Sequence, residues 1–276
     1  MKIAIASGKG GTGKTSIAVS LAQVAEAPVH YVDCDVEEPN GHLFLQPHIS
    51  QQREIALTVP QVRLAACTGC GECRDLCHFN AITIIGRSAL VFHELCHACG
   101  GCFLVCPEQA LEEGKRQIGL LEEGTAGTIR FTRGTLRVGE AMAVPLINAV
   151  RDSAADSPGL VLLDAPPGTS CPLVATIRGV DHVLLVTEES PFGLHDLQLA
   201  AAVVRQMGLS FDVIINRADL GDGSTAHWCR QEGIRVPLSL PFDREIAAGY
   251  AGGRPLLDCR PDLRPAFVQL LQGISP

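Results

Sequence analysis

Short runs of apolar residues alternate along the chain with longer segments whose apolar residues recur at helical spacing. The runs are almost continuously apolar, as expected of parallel strands buried on both faces. This alternation predicts an α/β fold built on a doubly wound, mostly parallel sheet. The predicted strands are Lys2–Ser7, Val29–Val32, Leu160–Leu163, His182–Thr187, Phe211–Ile215 and Val236–Leu240. The predicted helices are Ser16–Ala25, Val138–Val150, Leu194–Met207, Glu245–Ala251 and Asp262–Gln272.

A glycine-rich loop joins the first predicted strand to the first predicted helix. Residues Gly8–Thr15 fit the pattern G-x-x-x-x-G-K-[ST], in the strand–loop–helix setting that this phosphate-binding motif requires. In such a loop the lysine reaches the β and γ phosphates and the threonine binds Mg²⁺, roles that fall to Lys14 and Thr15. The expected nucleotide-binding residues of this segment are Gly8, Lys9, Gly10, Gly11, Thr12, Gly13, Lys14, Thr15 and Ser16.

Acidic residues follow two further predicted strands. Asp33 and Asp35 come after one strand, and Asp164 follows a run of four apolar residues. Because ligands of open α/β sheets bind beyond the carboxyl ends of the strands, we expect these carboxylates at the nucleotide site. Four apolar residues followed by aspartate is the Walker B pattern, which predicts that Asp164 binds Mg²⁺.

Lys9 follows the first glycine of the loop, and with this deviant Walker A motif the chain resembles the MinD/ParA/nitrogenase-iron-protein family of P-loop ATPases. In that family the additional lysine reaches the nucleotide of the facing subunit. The resemblance therefore implies an ATP-sandwich dimer, formed with a second copy or with a paralogue. It also implies that Asp35 positions the attacking water and that the Gly168 N–H group senses the γ-phosphate. The expected catalytic residues are Lys9, Lys14, Asp35 and Asp164.

Two further strand ends are expected near the nucleotide base. Asn216 resembles the base-contacting residue of the family, and Pro241 opens a Pro-Phe-Asp segment that is familiar from MinD-like chains. Asn216 and Asp219 also form the Asn-x-x-Asp pattern that reads guanine in GTPases. The residues alone leave the base open, whereas the resemblance favours ATP.

Eight of the twelve cysteines fall between Cys67 and Cys106. They form two runs of the pattern C-x-x-C-x-x-C-x-x-x-C, which binds clusters in bacterial ferredoxins. In this arrangement the fourth cysteine of each run ligates the other cluster. One [4Fe–4S] cluster is therefore expected on Cys67, Cys70, Cys73 and Cys106, and the other on Cys96, Cys99, Cys102 and Cys77. Two complete quartets favour clusters over a zinc site, which needs one quartet.

The cysteine block is expected to form a separate unit. A polar, loop-like segment, Gln46–Glu54, precedes it, and an acidic turn at Glu112–Gly114 and irregular strands in Gly119–Gly139 follow it. These limits predict a P-loop domain in two parts, 1–59 and 115–276, with an inserted α+β ferredoxin-like domain at 60–114. As a whole, the chain resembles MinD-superfamily ATPases that contain such an insert. A unit of this size cannot be stable through its apolar core alone, so clusters would also stabilise its fold.

The remaining cysteines are Cys34, Cys171, Cys229 and Cys259. Cys171 lies seven residues after Asp164, where the nitrogenase iron protein has a ligand of a cluster shared between subunits. A similar role for Cys171 is one interpretation, and an ordinary thiol is the other. The other three are interpreted as ordinary thiols.

Charge and composition argue against several classes of partner. The formal net charge of −8 argues against a basic surface for nucleic acid. No segment has the roughly 18 apolar residues of a membrane span, and the last predicted helix lacks a basic amphipathic face. No secretory signal is recognised, which favours a cytoplasmic location.

The combined motifs predict an ATP-hydrolysing dimeric switch coupled to two clusters that transfer electrons or sense redox state. Such a protein is expected to act with a redox or iron–sulfur partner protein. Two alternatives remain open. One is an iron–sulfur carrier or scaffold similar to Mrp-like ATPases, and the other is a MinD/ParA-like positioning ATPase that acts through a protein partner.

Overall fold

The computed structural model describes residues 1–26 and 28–274, which form a large sheet flanked by helices. The strands are β1 (Lys2–Ala6), β2 (Val29–Asp33), β3 (His48–Val62), β4 (Ile82–Ile85), β5 (Ser88–Val91), β6 (Leu111–Ala126), β7 (Ile129–Leu136), β8 (Leu160–Asp164), β9 (His182–Glu188), β10 (Phe211–Asn216) and β11 (Leu238–Leu240). The helices are α1 (Lys14–Val24), α2 (Gly41–Leu45), α3 (Glu72–Leu76), α4 (Gly101–Val105), α5 (Ala143–Asp152), α6 (Cys171–Ile177), α7 (Pro191–Gln206), α8 (Ser224–Gln231), α9 (Arg244–Ala251), α10 (Leu256–Cys259) and α11 (Arg264–Gln272).

Within these described ranges, nine strands form one sheet in the order β11, β10, β9, β1, β8, β2, β7, β6 and β3. Neighbours from β11 to β7 are parallel, whereas β6 and β3 run antiparallel at one edge. The predicted doubly wound, mostly parallel α/β fold is therefore confirmed. The carboxyl ends of the parallel strands, where ligands of such folds bind, lie along one edge of the sheet.

Side chains of the central strands alternate between two buried cores. In β1, Ile3 and Ile5 face one side of the sheet and Ala4 and Ala6 face the other, and all four are completely buried. The isoleucines pack with α1, α10 and α11, whereas the alanines pack with α5, α6 and α7. Because both faces are covered, these strands are apolar at nearly every position, which makes them recognisable in the sequence.

The antiparallel edge differs from what the sequence pattern predicts. Most of Gln46–Glu54, predicted as a loop, belongs to β3, and Glu112–Gly114, predicted as an acidic turn, belongs to β6. The irregular strands predicted in Gly119–Gly139 are the regular partners β6 and β7. These predictions were wrong because β3 is an edge strand with most side chains in solvent, so its polar composition resembles that of a loop.

Strands β3 and β6 extend beyond the sheet as a two-stranded ribbon. β7 pairs with β6 only over Gly119–Ala126, whereas β3 pairs with β6 as far as Val62 and Leu111. The cysteine segment, residues 63–110, connects the two ends of this ribbon. The limits predicted for an inserted unit, 60 and 114, fall near the tip of the ribbon. The segment is therefore joined to the main sheet by a paired ribbon, whose register shifts between Ile55 and Ala56.

The backbone of residues 63–110 repeats itself. Gly71 and Gly100 occupy equivalent positions before α3 and α4, with φ of 94° and 77°. Asn80 and Gln109 occupy equivalent positions after the two helices, with left-handed φ of 52° and 47°. The repeat of the cysteine pattern is thus accompanied by a repeat of local conformation.

The helices are of moderate length, and α7 spans 16 residues. None in the described part of the chain is both long and apolar enough to cross a membrane. α5 begins at Ala143, later than the predicted start at Val138, because Gly139 has a left-handed φ of 80° and Met142 is also non-helical.

His30 is a buried polar residue in the middle of β2. Its Nδ1 atom lies 2.7 Å from the Ser157 hydroxyl, and its Nε2 atom lies 2.8 Å from the Thr132 hydroxyl. Burial lowers the pKa of His30 to about 4, and the charge of Arg130 acts in the same direction. The folded protein therefore holds this side chain neutral at ordinary pH.

We expect the protein to lose stability as the pH falls from about 6.5 to about 4. The unfolded chain takes up a proton at His30 near pH 6.5, whereas the folded chain does so only near pH 4, so acid favours unfolding. The loss amounts to at most about 3 kcal/mol. Urea unfolding of the parent and of His30→Gln at several pH values measures it. Equal acid sensitivity in the two proteins would contradict this account.

Candidate functional site

The glycine-rich loop leaves β1 and enters α1 at Lys14. Gly11 and Gly13 have φ of 76° and 99°, a left-handed conformation that strains residues with a side chain. Gly8 lies so close to α7 that an added Cβ would be 2.2 Å from the backbone oxygen of Asp196. The path of the loop therefore requires glycine at several of the positions that the motif specifies.

The loop forms one wall of a cavity of about 340 Å³ at the carboxyl edge of the sheet. This volume is typical of a small-ligand site. Among the residues predicted from sequence, those that line the cavity are Gly10, Gly11, Gly13, Lys14, Thr15, Ser16, Asp35, Asn216 and Pro241. The wall is completed by Glu38, Asn40, Pro167, Arg217, Phe242, Asp243, Ile246, Ala247 and Tyr250.

The other predicted residues of this site lie beside the cavity or behind its wall: Gly8, Lys9, Thr12, Asp164 and Gly168. Thr12 and Asp164 are almost completely buried. The Gly168 N–H group donates a hydrogen bond to the Ser7 carbonyl at 3.0 Å. This bond joins the Pro-Pro-Gly segment, residues 166–168, to the start of the glycine-rich loop.

Lys9 forms an ion pair with Glu188 at the end of β9. Glu188 also accepts a hydrogen bond from Arg217 Nη1 at 2.9 Å, and Arg217 lines the cavity. Burial alone would raise the pKa of Glu188, but Lys9, Ser190 and Arg217 together lower it. One carboxylate thus connects Lys9 to the wall of the cavity.

The carboxylates of Asp33, Asp35 and Asp164 lie close together at the ends of β2 and β8. Asp33 and Asp164 are register partners on these neighbouring strands and are completely buried. Asp33 accepts hydrogen bonds from the N–H groups of Gly41 at 3.0 Å and Asp35 at 3.2 Å. The Tyr31 hydroxyl donates to Asp164 Oδ2 at 2.8 Å.

This crowding shifts the pKa values of all three carboxyls upwards. Burial raises the pKa of Asp164, against the effects of the Thr15 hydroxyl and the Lys14 charge. Burial also raises the pKa of Asp33, and the neighbouring Asp164 adds to this. Burial raises the pKa of Asp35 to about 6, although Lys14 opposes the shift. Such a group of poorly solvated carboxylates favours a bound cation.

One oxygen of this group lacks a partner. Asp164 Oδ1 is buried and accepts no hydrogen bond from residues 1–26 and 28–274, while Oδ2 is held by Tyr31. Leaving a buried carboxylate oxygen unpaired is costly, and a hard cation offsets the cost. Mg²⁺ prefers oxygen ligands such as carboxylates, hydroxyls and water. Asp164 and Thr15 therefore fit the predicted Mg²⁺.

Asn216 and Asp219 are engaged within the protein. Asn216 Nδ2 donates to the Thr12 carbonyl at 2.9 Å, and its Oδ1 accepts from the Arg217 N–H at 3.0 Å. Asp219 Oδ1 accepts from the Phe242 N–H at 2.6 Å and does not line the cavity. The side chains that would read guanine in an Asn-x-x-Asp motif are thus used to hold the loop and the β11–α9 connection.

The residues of this site that the sequence analysis missed include Tyr31, Glu188, Arg217 and Tyr250. Glu188 and Arg217 stand at or just after the ends of predicted strands, so their polar character at the carboxyl edge was an available signal. Tyr31 lies within an apolar strand, where nothing in the pattern indicates a hydrogen bond to Asp164. Tyr250 on α9 packs against Phe44 of α2, with ring centroids 5.0 Å apart, and only the tertiary fold brings these helices together.

Each predicted cysteine quartet lines a cavity of its own. Cys67, Cys70, Cys73 and Cys106 line one, and Cys77, Cys96, Cys99 and Cys102 line the other, which Cys73 also reaches. The fold thus brings the fourth cysteine of each run to the first three of the other run. In the described part of the chain, however, no group of three or more histidine, cysteine, aspartate or glutamate side chains is arranged so that it could hold a metal ion.

Backbone N–H groups point at some of these sulfur atoms. The Ala89 N–H lies 3.4 Å from Cys67 Sγ, and this contact lowers the pKa of that thiol. The Ala110 N–H lies 3.2 Å from Cys106 Sγ. Burial has the opposite effect on Cys102 and raises its pKa to about 11. The quartets therefore contain both thiols that are stabilised as thiolates and thiols that are not.

The other four cysteines lie outside these cavities. Cys171 is exposed at the start of α6, whereas Cys34, Cys229 and Cys259 are buried. Burial raises the pKa of Cys34 and, to about 11, that of Cys229. Buried thiols of this kind behave as small apolar residues.

The chain matches the family model described as "CobQ/CobB/MinD/ParA nucleotide binding domain" over residues 3–256. It is 30% identical over 278 residues to an uncharacterized protein of Methanocaldococcus jannaschii, with 100% of this chain and 96% of that protein covered. Over 46 residues it is 39% identical to one component of an ion-translocating oxidoreductase complex of Methanosarcina acetivorans, with 17% of each chain covered.

A solved structure shares the fold of the whole chain. The septum site-determining protein MinD of Pyrococcus horikoshii OT3, complexed with Mg-ADP, matches with a TM-score of 0.58. The match covers 99% of this chain and 95% of that chain at 19% sequence identity. At this identity the likeness shows the fold alone.

We expect Asp35→Asn to stabilise the nucleotide-free protein at neutral pH by about 1 kcal/mol, a value reduced for partial solvation of the site. The folded protein binds a proton at Asp35 up to about pH 6, whereas the unfolded chain loses it near pH 3.8, so the fold loses stability as the pH rises from about 3.8 to about 6. The gain should vanish at pH 4. Urea unfolding at both pH values measures it, with Glu37→Gln, exposed on the same loop, as the matched control. A pH-independent gain would contradict the explanation.

Proposed function

Because the chain belongs to the CobQ/CobB/MinD/ParA nucleotide-binding family, we propose that it binds and hydrolyses ATP with Mg²⁺ and works as a dimeric switch. We further propose that residues 60–114 form a unit that carries two [4Fe–4S] clusters. The observation that carries the nucleotide half is the cavity in which Lys14, Thr15 and Asp35 face a common space beside the unpaired oxygen of Asp164.

The proposed roles follow from the chemistry of phosphoryl transfer. Lys14 neutralises phosphate oxygens, while Thr15 and Asp164 hold Mg²⁺, directly or through water. Asp35, with its pKa raised to about 6, accepts or orients a proton of the attacking water. Gly168 exchanges the Ser7 carbonyl for the γ-phosphate, which transmits the presence of ATP to the Pro-Pro-Gly segment.

ATP is the proposed nucleotide. Reading of guanine by an Asn-x-x-Asp motif requires free amide and carboxylate groups, and those of Asn216 and Asp219 already hold Thr12 and Phe242. Pro241 and Arg217 line the same cavity as Lys14, and we propose that the base lies against them. Removal of these protein contacts to accommodate guanine would take away the partners of the Thr12 carbonyl and the Phe242 N–H group.

The proposed dimer requires Lys9 to change partners. Lys9 is held within its own chain by Glu188, which it shares with Arg217. Nucleotide that engages Arg217 weakens this arrangement and frees Lys9 for the nucleotide of a second copy or of a paralogue. Arg217, which would contact the nucleotide, and Lys9, which would contact the dimer partner, therefore compete for the Glu188 carboxylate.

The cluster half of the proposal rests on the two cysteine cavities. Each is lined by the quartet expected of a two-cluster ferredoxin, and the backbone around the two runs repeats. A [4Fe–4S] cluster is larger than a single ion and holds its ligands farther apart, so the lack of a single-ion arrangement among the described residues bears on zinc more than on clusters. Bound clusters would supply one-electron redox chemistry, in a cytoplasm that keeps the thiols reduced.

A MinD/ParA-like ATPase that acts through a protein partner is the second candidate. The family and the fold shared with MinD support this candidate directly, whereas they do not support electron transfer. It requires neither nucleic acid nor membrane binding by the chain itself, in agreement with the net charge of −8. An iron–sulfur carrier is favoured less, because complete quartets hold clusters tightly.

We expect ATP hydrolysis by the anaerobically purified protein to change several-fold when dithionite reduces the clusters. Nucleotide and clusters lie in one chain joined by the β3–β6 ribbon, so their states are proposed to be coupled. Lys14→Ala, which lacks the phosphate-binding lysine, is the blank. Equal rates in both redox states, in protein with its full iron content, would favour the partner-mediated switch. A parent protein with no more activity than Lys14→Ala would remove the ATPase proposal.

We expect Cys106→Ser to lose about half of the bound iron, because this variant removes one ligand of one proposed cluster. Cys171→Ser is the matched control, since Cys171 is an exposed cysteine outside both cavities. Iron and acid-labile sulfide per chain, with the visible absorption spectrum, measure the effect. A parent protein purified and reconstituted without oxygen that contains no iron would refute the cluster half of the proposal.

A further inference from the structure

Two arginines and two glutamates form an ion-pair network where the β3–β6 ribbon leaves the sheet. Arg116 of β6 pairs with Glu140, and their side chains are only 5% and 1% exposed. Arg137, which follows β7, lies 2.5 Å from Glu94 and 3.7 Å from Glu140. Glu94 also lies 3.7 Å from Arg116. The four formal charges cancel, and each carboxylate is shared by both arginines.

One end of this network touches the cysteine segment. Arg116 Nη2 donates a hydrogen bond to the carbonyl oxygen of Cys96 at 3.1 Å. Cys96 is the first cysteine of the second run and lines the same cavity as Cys77, Cys99 and Cys102. Glu94 lies two residues before it, in the turn His93–Leu95. A buried cation is therefore fixed beside the backbone of a proposed cluster ligand.

The other end reaches the nucleotide site. Arg137 directly follows Leu136, whose N–H donates to the Val36 carbonyl at 2.8 Å. Val36 is the neighbour of Asp35, which lines the nucleotide cavity. Val36 packs so tightly against Gly134 of β7 that an added Cβ there would lie 2.7 Å from its Cγ1 atom. A displacement of the Asp35–Val36 loop must therefore be passed on to the end of β7.

We propose that Arg116 is a positioning residue that couples the redox state of the cluster held by Cys96 to nucleotide binding. The path runs from Arg116 to Glu140, then to Arg137, and finally to the Asp35–Val36 loop. The inference rests on the proposed function, because it requires both a nucleotide and a cluster.

Electrostatics determines the sign of the change that Arg116 causes in the reduction potential of this cluster. Uptake of one electron adds a negative charge near Cys96, and a buried guanidinium stabilises this charge, so Arg116 raises the reduction potential. Arg116 is then drawn towards Cys96 and interacts less with Glu140. Because Glu140 is buried, Arg137 must compensate for the loss, and Arg137 is joined to the segment that holds Val36.

The test is a redox titration of the anaerobically purified full-length chain, followed by electron paramagnetic resonance, with and without Mg-ADP. We expect Mg-ADP to shift the potential of one cluster. Linkage requires that reduction changes the affinity for Mg-ADP by the same factor. A fivefold change corresponds to about 41 mV, at 59 mV per tenfold change for one electron. Binding of a fluorescent ADP analogue to oxidised and reduced protein measures that factor without turnover.

Variants separate this coupling from a purely structural role. Arg116→Gln should lower the potential of the affected cluster and abolish the Mg-ADP shift. Arg137→Gln, at a half-exposed position, keeps the proposal testable if Arg116→Gln does not fold. This variant should retain nearly the parent reduction potential and lose the shift that Mg-ADP causes. Arg87→Gln removes an exposed arginine in the β4–β5 turn, outside the network, and should retain the shift.

Two results would overturn the proposal. One is a Mg-ADP shift that persists in both network variants. The other is an iron-loaded, ATP-hydrolysing parent protein whose potentials and affinities do not depend on each other. A parent chain that binds no iron would instead refute the cluster half of the proposed function, and this inference with it.

Discussion

The nucleotide site depends on two buried carboxylates that lie side by side at the ends of neighbouring parallel strands. Asp33 and Asp164 are paired in register, and water reaches neither of them. Two carboxylates in such surroundings favour protonation or a nearby cation. Lys14, itself 7% exposed, provides one cation from the glycine-rich loop, and the unpaired oxygen of Asp164 leaves a place for another. The tight course of the loop and the direction of α1 are needed to keep the lysine close enough.

The β3–β6 ribbon attaches the cysteine segment to the main sheet. A segment of the size of residues 63–110 has little apolar core, so its stability depends largely on its attachment to the rest of the protein. Backbone pairing from the main sheet to Val62 and Leu111, with one register shift between Ile55 and Ala56, provides the attachment. This attachment is the route by which we propose that a change at the cysteine cavities reaches β7 and the loop after β2.

The sequence alone was sufficient to predict the parallel strands, because strands buried on both faces are apolar throughout. It was also sufficient to predict the glycine-rich loop, because the loop requires glycine at positions such as Gly13. It was insufficient for β3, whose exposed, polar edge position makes it resemble a loop. It also could not reveal that Asn216 and Asp219 hold backbone groups of distant segments. Those contacts depend on how strands that are far apart in sequence are placed in the sheet, which local patterns do not encode.

Carboxylates shared by two cations occur both beside the nucleotide cavity and at the base of the β3–β6 ribbon. Glu188 is shared by Lys9 and Arg217, and Glu140 is shared by Arg116 and Arg137. An isolated exposed pair, such as Arg205 with Glu232, can break with little effect, because water replaces either partner. Glu140 is buried, and Glu188 is largely so, which means that a cation drawn away from either must be replaced by the other cation of its pair. A carboxylate that holds two cations therefore links their positions, because a displacement of one cation changes the electrostatic environment of the other.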